Sequence, residues 1–534
     1  MKLSFKYIAS LAAVASMSLV ACNDLDTEPH GSNVTSDQKQ QAVADQPGLA
    51  SAGVVGISSS INQFGGVYSS EPHCDFGWTA VMLFMDAIGP DLVSDNIGYN
   101  WFSSSGDYNF GTNNNYINNL SWGYAYKQIF ASNAVIGNID PETTDPELQL
   151  FAAQGYANRA FAYFNLIQLY QTNYKGSESK PGVPLITDQN ADQAASEGCP
   201  RATVQETYDL ILSDLDLAIK MLSESTYGID HIADVGVKRF ISLGTAYGLR
   251  ARVNLVMGNW QAAASDARAA ITNSPSVRPL SIAEASQPGF SSVDDPNWMW
   301  GMYIQEVDRV VTTGICNWPS HMGSLSYGYA QVGAWRRVNK ALYNAIPDAD
   351  CRKGWFLDAN SQSKNLSAQQ QNYCAQYGMP AYTQVKFAPY QGVLGTSTNA
   401  CDIPFMRIEE MYLIEAEATA MGGNPTQGAS LLESFVKTYR NPGYQAPQGS
   451  AADIQNEIWM QRRIEFFGEG IAYFDLLRLG KGLDRRGGGW TSEWVYNVPG
   501  PLKPILIPNS EMEANTAITN NNDTWDKPNA VDDI

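Results

Sequence analysis

Charge is scarce in this 534-residue chain: Asp, Glu, Lys and Arg make up 16% of it, against roughly 25% in an average soluble protein. What charge there is runs one way, 34 basic against 54 acidic residues for a net of −20. A protein that tracks phosphates needs a basic face that releases counterions, so a nucleic-acid binder is excluded. Histidine is rarer still, with only His30, His73, His231 and His321. They are scattered, and neither His-Glu-x-x-His nor Cys-x-x-Cys occurs, which removes the usual zinc spacings. No Gly-x-Ser-x-Gly elbow is present, and Gly480-Lys481 is followed by Gly rather than Ser or Thr, so neither a hydrolase nucleophile turn nor a phosphate loop is encoded. No cofactor is expected; structural calcium held by loop carbonyls and carboxylates is left open.

Apolar residues, at 44%, suffice for a large core and exclude bulk disorder. Asn, Gln, Ser, Thr and Gly take the place of charge, and 13 Trp with 27 Tyr supply large rings with a polar edge. Such a surface suits uncharged polar partners. The length allows roughly three or four domains, although a helical-repeat fold can run this long as one body.

Met1 to Cys22 has a basic start (Lys2, Lys6), an apolar stretch from Ile8 to Val20 diluted by Ala and Ser, and then Leu19-Val20-Ala21-Cys22. The run is too short for a permanent span and reads as a secretory leader, residues 1–21. Small residues directly before a Cys resemble the lipobox of bacterial lipoproteins, in which the Cys22 thiol is acylated and the chain is cut before it. Two or more acyl chains on one Cys give stable anchoring. Residues 22–45 read as a polar tether, and no later run approaches 18 apolar residues. Cys74, Cys199, Cys316, Cys351, Cys374 and Cys401 are even in number in an oxidising compartment. Up to three disulfides in about 15 connectivities are open to them and their spacing does not choose among these, while a core this large does not need bridges and reduced, buried thiols are an equal expectation.

Periodicity predicts helices over 120–136, 148–170 and 204–222, the last opening on the capping-box spacing Thr203-x-x-Glu206. Two hairpins follow, 242–257 with 260–271 across Gly258-Asn259, and 406–421 with 427–439 across Gly422-Gly423-Asn424-Pro425. Gly258, Ala263 and Ala270 have the small-residue spacing of a tetratricopeptide hairpin. Such units bury their faces only by stacking, so residues 120–274 and 402–480 are expected to form a curved helical scaffold. Residues 275–401 are broken by Pro, Gly, Ser and aromatic residues, with short alternating stretches such as 298–304. They predict an irregular, ligand-binding subdomain with short strands, resting on the scaffold.

Several segments together resemble the RagB/SusD family of outer-membrane nutrient-binding lipoproteins. They are Arg201-Ala-Thr-Val-Gln-Glu-Thr-Tyr-Asp-Leu-Ile-Leu-Ser-Asp-Leu-Asp-Leu-Ala-Ile219, Met406-Arg-Ile-Glu-Glu-Met-Tyr-Leu-Ile-Glu-Ala-Glu-Ala418, and Gln461-Arg-Arg-Ile-Glu-Phe-Phe-Gly-Glu-Gly470 running on to Phe474-Asp-Leu-Leu-Arg-Leu-Gly480. Near the end, Leu506-Ile-Pro-Asn-Ser-Glu-Met-Glu-Ala-Asn515 and Asn520-Asn521-Asn522 are similar to the family's closing pattern. Leu479 stands where the family usually has Trp, and Asn521 where it usually has Gln. The resemblance, over residues 22–534, implies a mostly α fold with about four tetratricopeptide-like helix pairs, lipid-anchored and exposed on the cell outer membrane. It also implies a partner, a SusC-like TonB-dependent β-barrel transporter, to which the lipoprotein delivers oligosaccharides or polysaccharides or, in some members, peptides.

The acidic clusters Glu409, Glu410, Glu415 and Glu417, and Glu465 with Glu469, could in principle serve glycoside hydrolysis. Both predicted helices also carry Arg407, Arg462, Arg463 and Arg478, so they read as ion-paired scaffold faces, and no enzyme is expected. The loop aromatics are the more informative signal. A sugar ring has an apolar C–H face and a hydroxyl rim, and is held by a flat Trp or Tyr beside amides and hydroxyls. Tyr99, Asn100 and Trp101 offer this in one loop. Trp318 and His321, with Tyr327 and Tyr329, offer it in a second. These are the candidate ligand-binding residues, with Cys22 as lipid anchor and neither a catalytic nor a metal-ligating set. The expected function is non-catalytic capture of a neutral glycan. Peptide binding on the same scaffold, a secreted glycoside hydrolase and a ligand-free structural adaptor are the alternatives.

Overall fold

The computed structural model describes residues 36–534 apart from 95–96, 99–100, 113–114 and 172. The leader, Cys22, Tyr99 and Asn100 therefore lie outside the described residues.

The fold is mostly helical. Its scaffold is a succession of α1 (Tyr116–Ile136), α2 (Pro146–Tyr170), α3 (Val204–Glu224), α4 (Leu243–Met257), α5 (Trp260–Thr272), α6 (Ile408–Met421), α7 (Pro425–Tyr439) and α8 (Ala451–Glu465). Each of α1 to α6 packs on the next, and α7 and α8 both pack on α6. Local signals set several of these boundaries. In α3 the Thr203 hydroxyl accepts from the Glu206 N–H at 3.1 Å while Glu206 accepts from the Thr203 N–H at 2.7 Å, which satisfies two otherwise orphaned donors. Val204, Tyr208, Ile211, Leu215 and Ile219 then form its buried stripe. The α4–α5 turn works because Gly258 takes a left-handed φ of 76°, cheap only for glycine. Ala263 and Ala270 beyond it are fully buried, so the two helices cross closely.

The helix expected from Leu120 begins four residues earlier, because the Asn115 side chain accepts from the Ile117 N–H and caps it. The second half of the expected tether is also helical, over Ser36–Asp45. At the other end of the chain Asn521 pairs with the Ile507 backbone in both directions, at 2.9 and 2.8 Å. Asn522 donates to the carbonyls of Tyr170 and Ile505, which fastens the closing segment to α2.

Residues 275–401 interrupt the helical run between α5 and α6. One strand, Trp298–Met302, pairs antiparallel with Ile403–Arg407, and a second short pair joins Leu92–Val93 to Arg337–Val338. The first is two residues shorter than the alternation suggests. A satellite core of Leu325, Leu357, Cys374, Met379 and Val385 sits within this part. It is held to the scaffold by a buried ionic network in which Arg352 and Arg440 meet Glu465, Arg407 bridges Glu409, Glu465 and Glu469, and Lys386 meets Glu469 at 2.5 Å. Burial disfavours the Glu465 charge, but Arg440 and Arg407 outweigh it and hold the carboxyl well below its ordinary range. Glu410 and Glu417 are equally paired, to Arg252 and Arg478. The six cysteines from Cys74 onward are free thiols, five of them buried. Among the described residues no helix is long and apolar enough to cross a membrane, and no group of three or more His, Cys, Asp or Glu is placed to hold a metal ion.

Candidate functional site

The early loop is fixed from below. Phe102 is fully buried, with its ring 4.4 Å from that of Phe84 and 5.1 Å from that of His321. Tyr108, also buried, donates its hydroxyl to the Ile88 carbonyl at 2.7 Å. With Phe102 turned inward, its neighbour Trp101 is left half-buried at the surface.

There Trp101 meets residues from three other parts of the chain. Its indole N–H donates to the Tyr329 hydroxyl at 3.2 Å, and that hydroxyl lies 2.6 Å from His73 Nδ1. The ring centroids of His73 and Trp101 are 5.3 Å apart, tilted by 34°. Tyr116 stands edge-on to Trp101 at 6.2 Å, and Tyr68 edge-on to Tyr116 at 5.4 Å. Five half-buried rings thus form one cluster on an otherwise packed base. The Tyr329 hydroxyl thus accepts from Trp101 and also hydrogen-bonds His73, which ties the two rings together. Burial raises the phenols of Tyr68, Tyr116 and Tyr329 above their ordinary values, so these rings are neutral at physiological pH.

Two residues expected to bind ligand are core instead. Trp318 is 2% exposed and packs edge-on against Phe387, with ring centroids 4.8 Å apart. His321 is fully buried, stacked between Tyr329 at 4.4 Å and Phe76 at 5.5 Å. The reason is the short helix Trp318–Met322, whose five residues are all buried. Asn317 caps it by accepting from the Ser320 N–H at 3.0 Å, and ties it to the Val310 and Gly314 carbonyls. Burial, and then the Arg336 charge, push His321 well below the ordinary imidazole value. The neutral ring donates from Nε2 to the His73 carbonyl at 3.2 Å. It supports the cluster without being part of its face.

The turn after this helix approaches it closely: a β-carbon on Gly328 would sit 2.1 Å from Ser320 Oγ, and that oxygen accepts from the Tyr329 N–H. Tyr329 is thereby set against His321. Tyr327, two residues earlier, is 46% exposed, and no ring contact joins it to the cluster among the described residues. Sequence reasoning passed over Tyr68, His73 and Tyr116. The segment Gly65-Gly-Val-Tyr68-Ser-Ser-Glu-Pro-His73 has the same turn-forming, ring-bearing composition as the loop at Trp101, and that was the available signal.

A stacked helical-repeat scaffold bearing an aromatic surface beside an irregular lobe defines a class, and comparison with known proteins identifies it. Residues 83–255 match the SusD-like profile described as "Starch-binding associating with outer membrane", and residues 340–533 match the SusD family profile. The chain belongs to the SusD/RagB family. It is 25% identical over 433 residues to SusD-like protein P38 of Formosa agariphila, covering 74% of this chain and 79% of that one. A SusD-like carbohydrate binding protein from Bacteroides vulgatus superposes with a TM-score of 0.71 at 22% identity, covering 88% of this chain and 97% of the other. Surface glycan-binding protein A from Bacteroides thetaiotaomicron, in complex with laminarihexaose, superposes with a TM-score of 0.62 at 15% identity, covering 89% and 99%.

Proposed function

We propose that this chain is a non-catalytic glycan-binding lipoprotein of the outer membrane, anchored through an acylated Cys22. In this reading it captures a neutral oligosaccharide or polysaccharide on the Trp101 surface and delivers it to a SusC-like TonB-dependent transporter. The observation that carries the reading is the cluster of Tyr68, His73, Trp101, Tyr116 and Tyr329, rings with polar edges on a buried base. Stacking on sugar C–H faces and hydrogen bonds to hydroxyls are the interactions this set can make. The ligand face is then built by the early loop together with the 275–401 part. Pairing of the scaffold glutamates with buried arginines supports a non-catalytic role, since a glycosidase needs one carboxyl kept protonated and both open to substrate. The laminarihexaose bound by a structural relative makes β-glucan the first glycan to try.

The test is retention of the purified protein in gels containing laminarin, amylose, xyloglucan or galactomannan, with Trp101→Ala as the control. Retention by at least one neutral polysaccharide, lost in the variant with little change in melting temperature, is expected. Absence of retention in every gel, or release of reducing ends by the pure protein, overturns the reading. Co-purification of a large β-barrel with the anchored protein, abolished by Cys22→Ser only at the membrane, tests the delivery step.

A further inference from the structure

A second uncharged surface adjoins the aromatic cluster. Three segments of the irregular part, residues 323–335, 366–379 and 389–401, contain not one Asp, Glu, Lys or Arg. The fold brings them together. The Tyr327 N–H donates to the Thr396 carbonyl at 3.0 Å, the Gly395 N–H to the Leu325 carbonyl at 2.9 Å, and the Gln331 side-chain amide to the Tyr373 hydroxyl at 2.6 Å. Beneath them Leu325 and Cys374 are buried in the satellite core, so the surface is rigidly backed. On it stand Tyr327, 46% exposed, Tyr377, 39% exposed, and the half-buried Tyr373, whose ring centroid is 4.7 Å from that of Tyr377.

We propose that the Tyr373–Tyr377 pair is a second sugar-binding subsite, so that the protein grips one long neutral glycan at two places, at Trp101 and at this pair. The inference rests on the glycan reading of the Trp101 cluster and adds a second place of contact and a dependence on chain length. Continuity supports it. Gln331, which holds Tyr373, is two residues from Tyr329, which holds Trp101, and successive Cα atoms are about 3.8 Å apart. The two ring groups are thus within one extended oligosaccharide of each other. The hydrogen bonding supports it as well: the Tyr373 hydroxyl and the Gln331 side-chain amide are 2.6 Å apart, which fixes the Tyr373 ring in place for a ligand. A protein partner is the poorer occupant, because protein interfaces carry a polar rim with charged groups, and these three segments supply none.

The experiment is calorimetric titration of the full protein with a ladder of oligosaccharides, from disaccharide to octasaccharide, cut from whichever neutral polysaccharide retains it. The wild type is compared with Tyr377→Ala, Tyr373→Phe and Trp101→Ala. Tyr377→Ala removes an exposed ring and Tyr373→Phe only a hydroxyl, so both are expected to fold, which the melting temperature checks. The subsite predicts that wild-type affinity climbs with length. Tyr377→Ala should bind short chains as the wild type does and the longest about five- to tenfold more weakly, as expected for one lost stacking contact. Tyr373→Phe should show a smaller loss of the same length dependence, and Trp101→Ala should weaken every length. Equal affinity of wild type and both tyrosine variants at all lengths overturns the subsite and leaves the Trp101 reading standing. Retention by no polysaccharide overturns both.

Discussion

The Trp101 indole N–H donates to the Tyr329 hydroxyl at 3.2 Å across 228 residues of sequence. That contact sets the angle at which the indole faces outward, and through His73 Nδ1, 2.6 Å from the same hydroxyl, it orients the imidazole too. Tyr329→Phe keeps the ring that stacks on His321 and deletes only the hydroxyl. Glycan affinity should fall about five- to tenfold, the worth of roughly one hydrogen bond in positioning, with the melting temperature nearly unchanged. Titration with the retaining glycan, beside a thermal melt, checks it.

Two tryptophans that look alike in sequence should behave oppositely. Trp101→Ala should abolish glycan retention at small cost in stability. Trp318→Ala, at a residue 2% exposed, should destabilise by about 3–5 kcal/mol through the cavity it leaves. Urea denaturation of the two variants distinguishes these outcomes.

Stability should depend on pH through His321. Its folded pKa lies well below 6.5 because of burial and Arg336, so on acidification the unfolded chain takes up a proton first. Stability from this group is full above about pH 6.5 and declines as pH falls toward the folded pKa, by up to about 1.4 kcal/mol per pH unit. Asp402, raised by burial to about 6, titrates in the opposite sense over the lower part of that window. The measurement is therefore the difference in unfolding free energy between wild type and His321→Gln. That difference should shrink from pH 7.5 to pH 5.5.

Glu465 accepts from Arg352, Arg407 and Arg440, and all four side chains are fully buried. Glu465→Gln leaves three guanidinium groups short of a charge and should destabilise by about 3–5 kcal/mol. In the wild type this contribution is present above the unfolded carboxyl pKa of about 4.3 and is lost as pH falls through the depressed folded value. Denaturant titration at pH 7 and at about pH 3 tests both statements.

Glycan affinity should be nearly indifferent to salt, because stacking on rings and hydrogen bonds to phenol and indole groups give an ion atmosphere little to screen. A change in Kd of less than about twofold between 0.05 and 0.5 M NaCl is expected; a steep loss means that ionic contacts dominate.

The scaffold was legible because its signals are local. The Thr203–Glu206 cap, the stripe from Val204 to Ile219 and the turn at Gly258 each act within a few residues, and the scaffold helices lie within a few residues of where periodicity puts them. The acidic clusters were legible for a related reason, since each glutamate-rich helix also brought arginines. The candidate site was only half legible. A loop carrying Trp101 and a turn carrying Tyr329 could be chosen from composition, but burial is decided by what else packs there. Trp318 and Trp101 have the same local character, and only the Asn317 cap and the packing against Phe387 turn one of them inward.

By itself, then, the sequence determined the helical repeat, the scarcity of charge and the family resemblance, all set by short-range periodicity and composition. Tertiary structure alone decided which rings face solvent and which are neighbours. Tyr68, His73, Trp101, Tyr116 and Tyr329 come from separated segments, and their proximity depends on helices and turns stacking over more than 200 residues, a distance over which no local pattern carries information about contact.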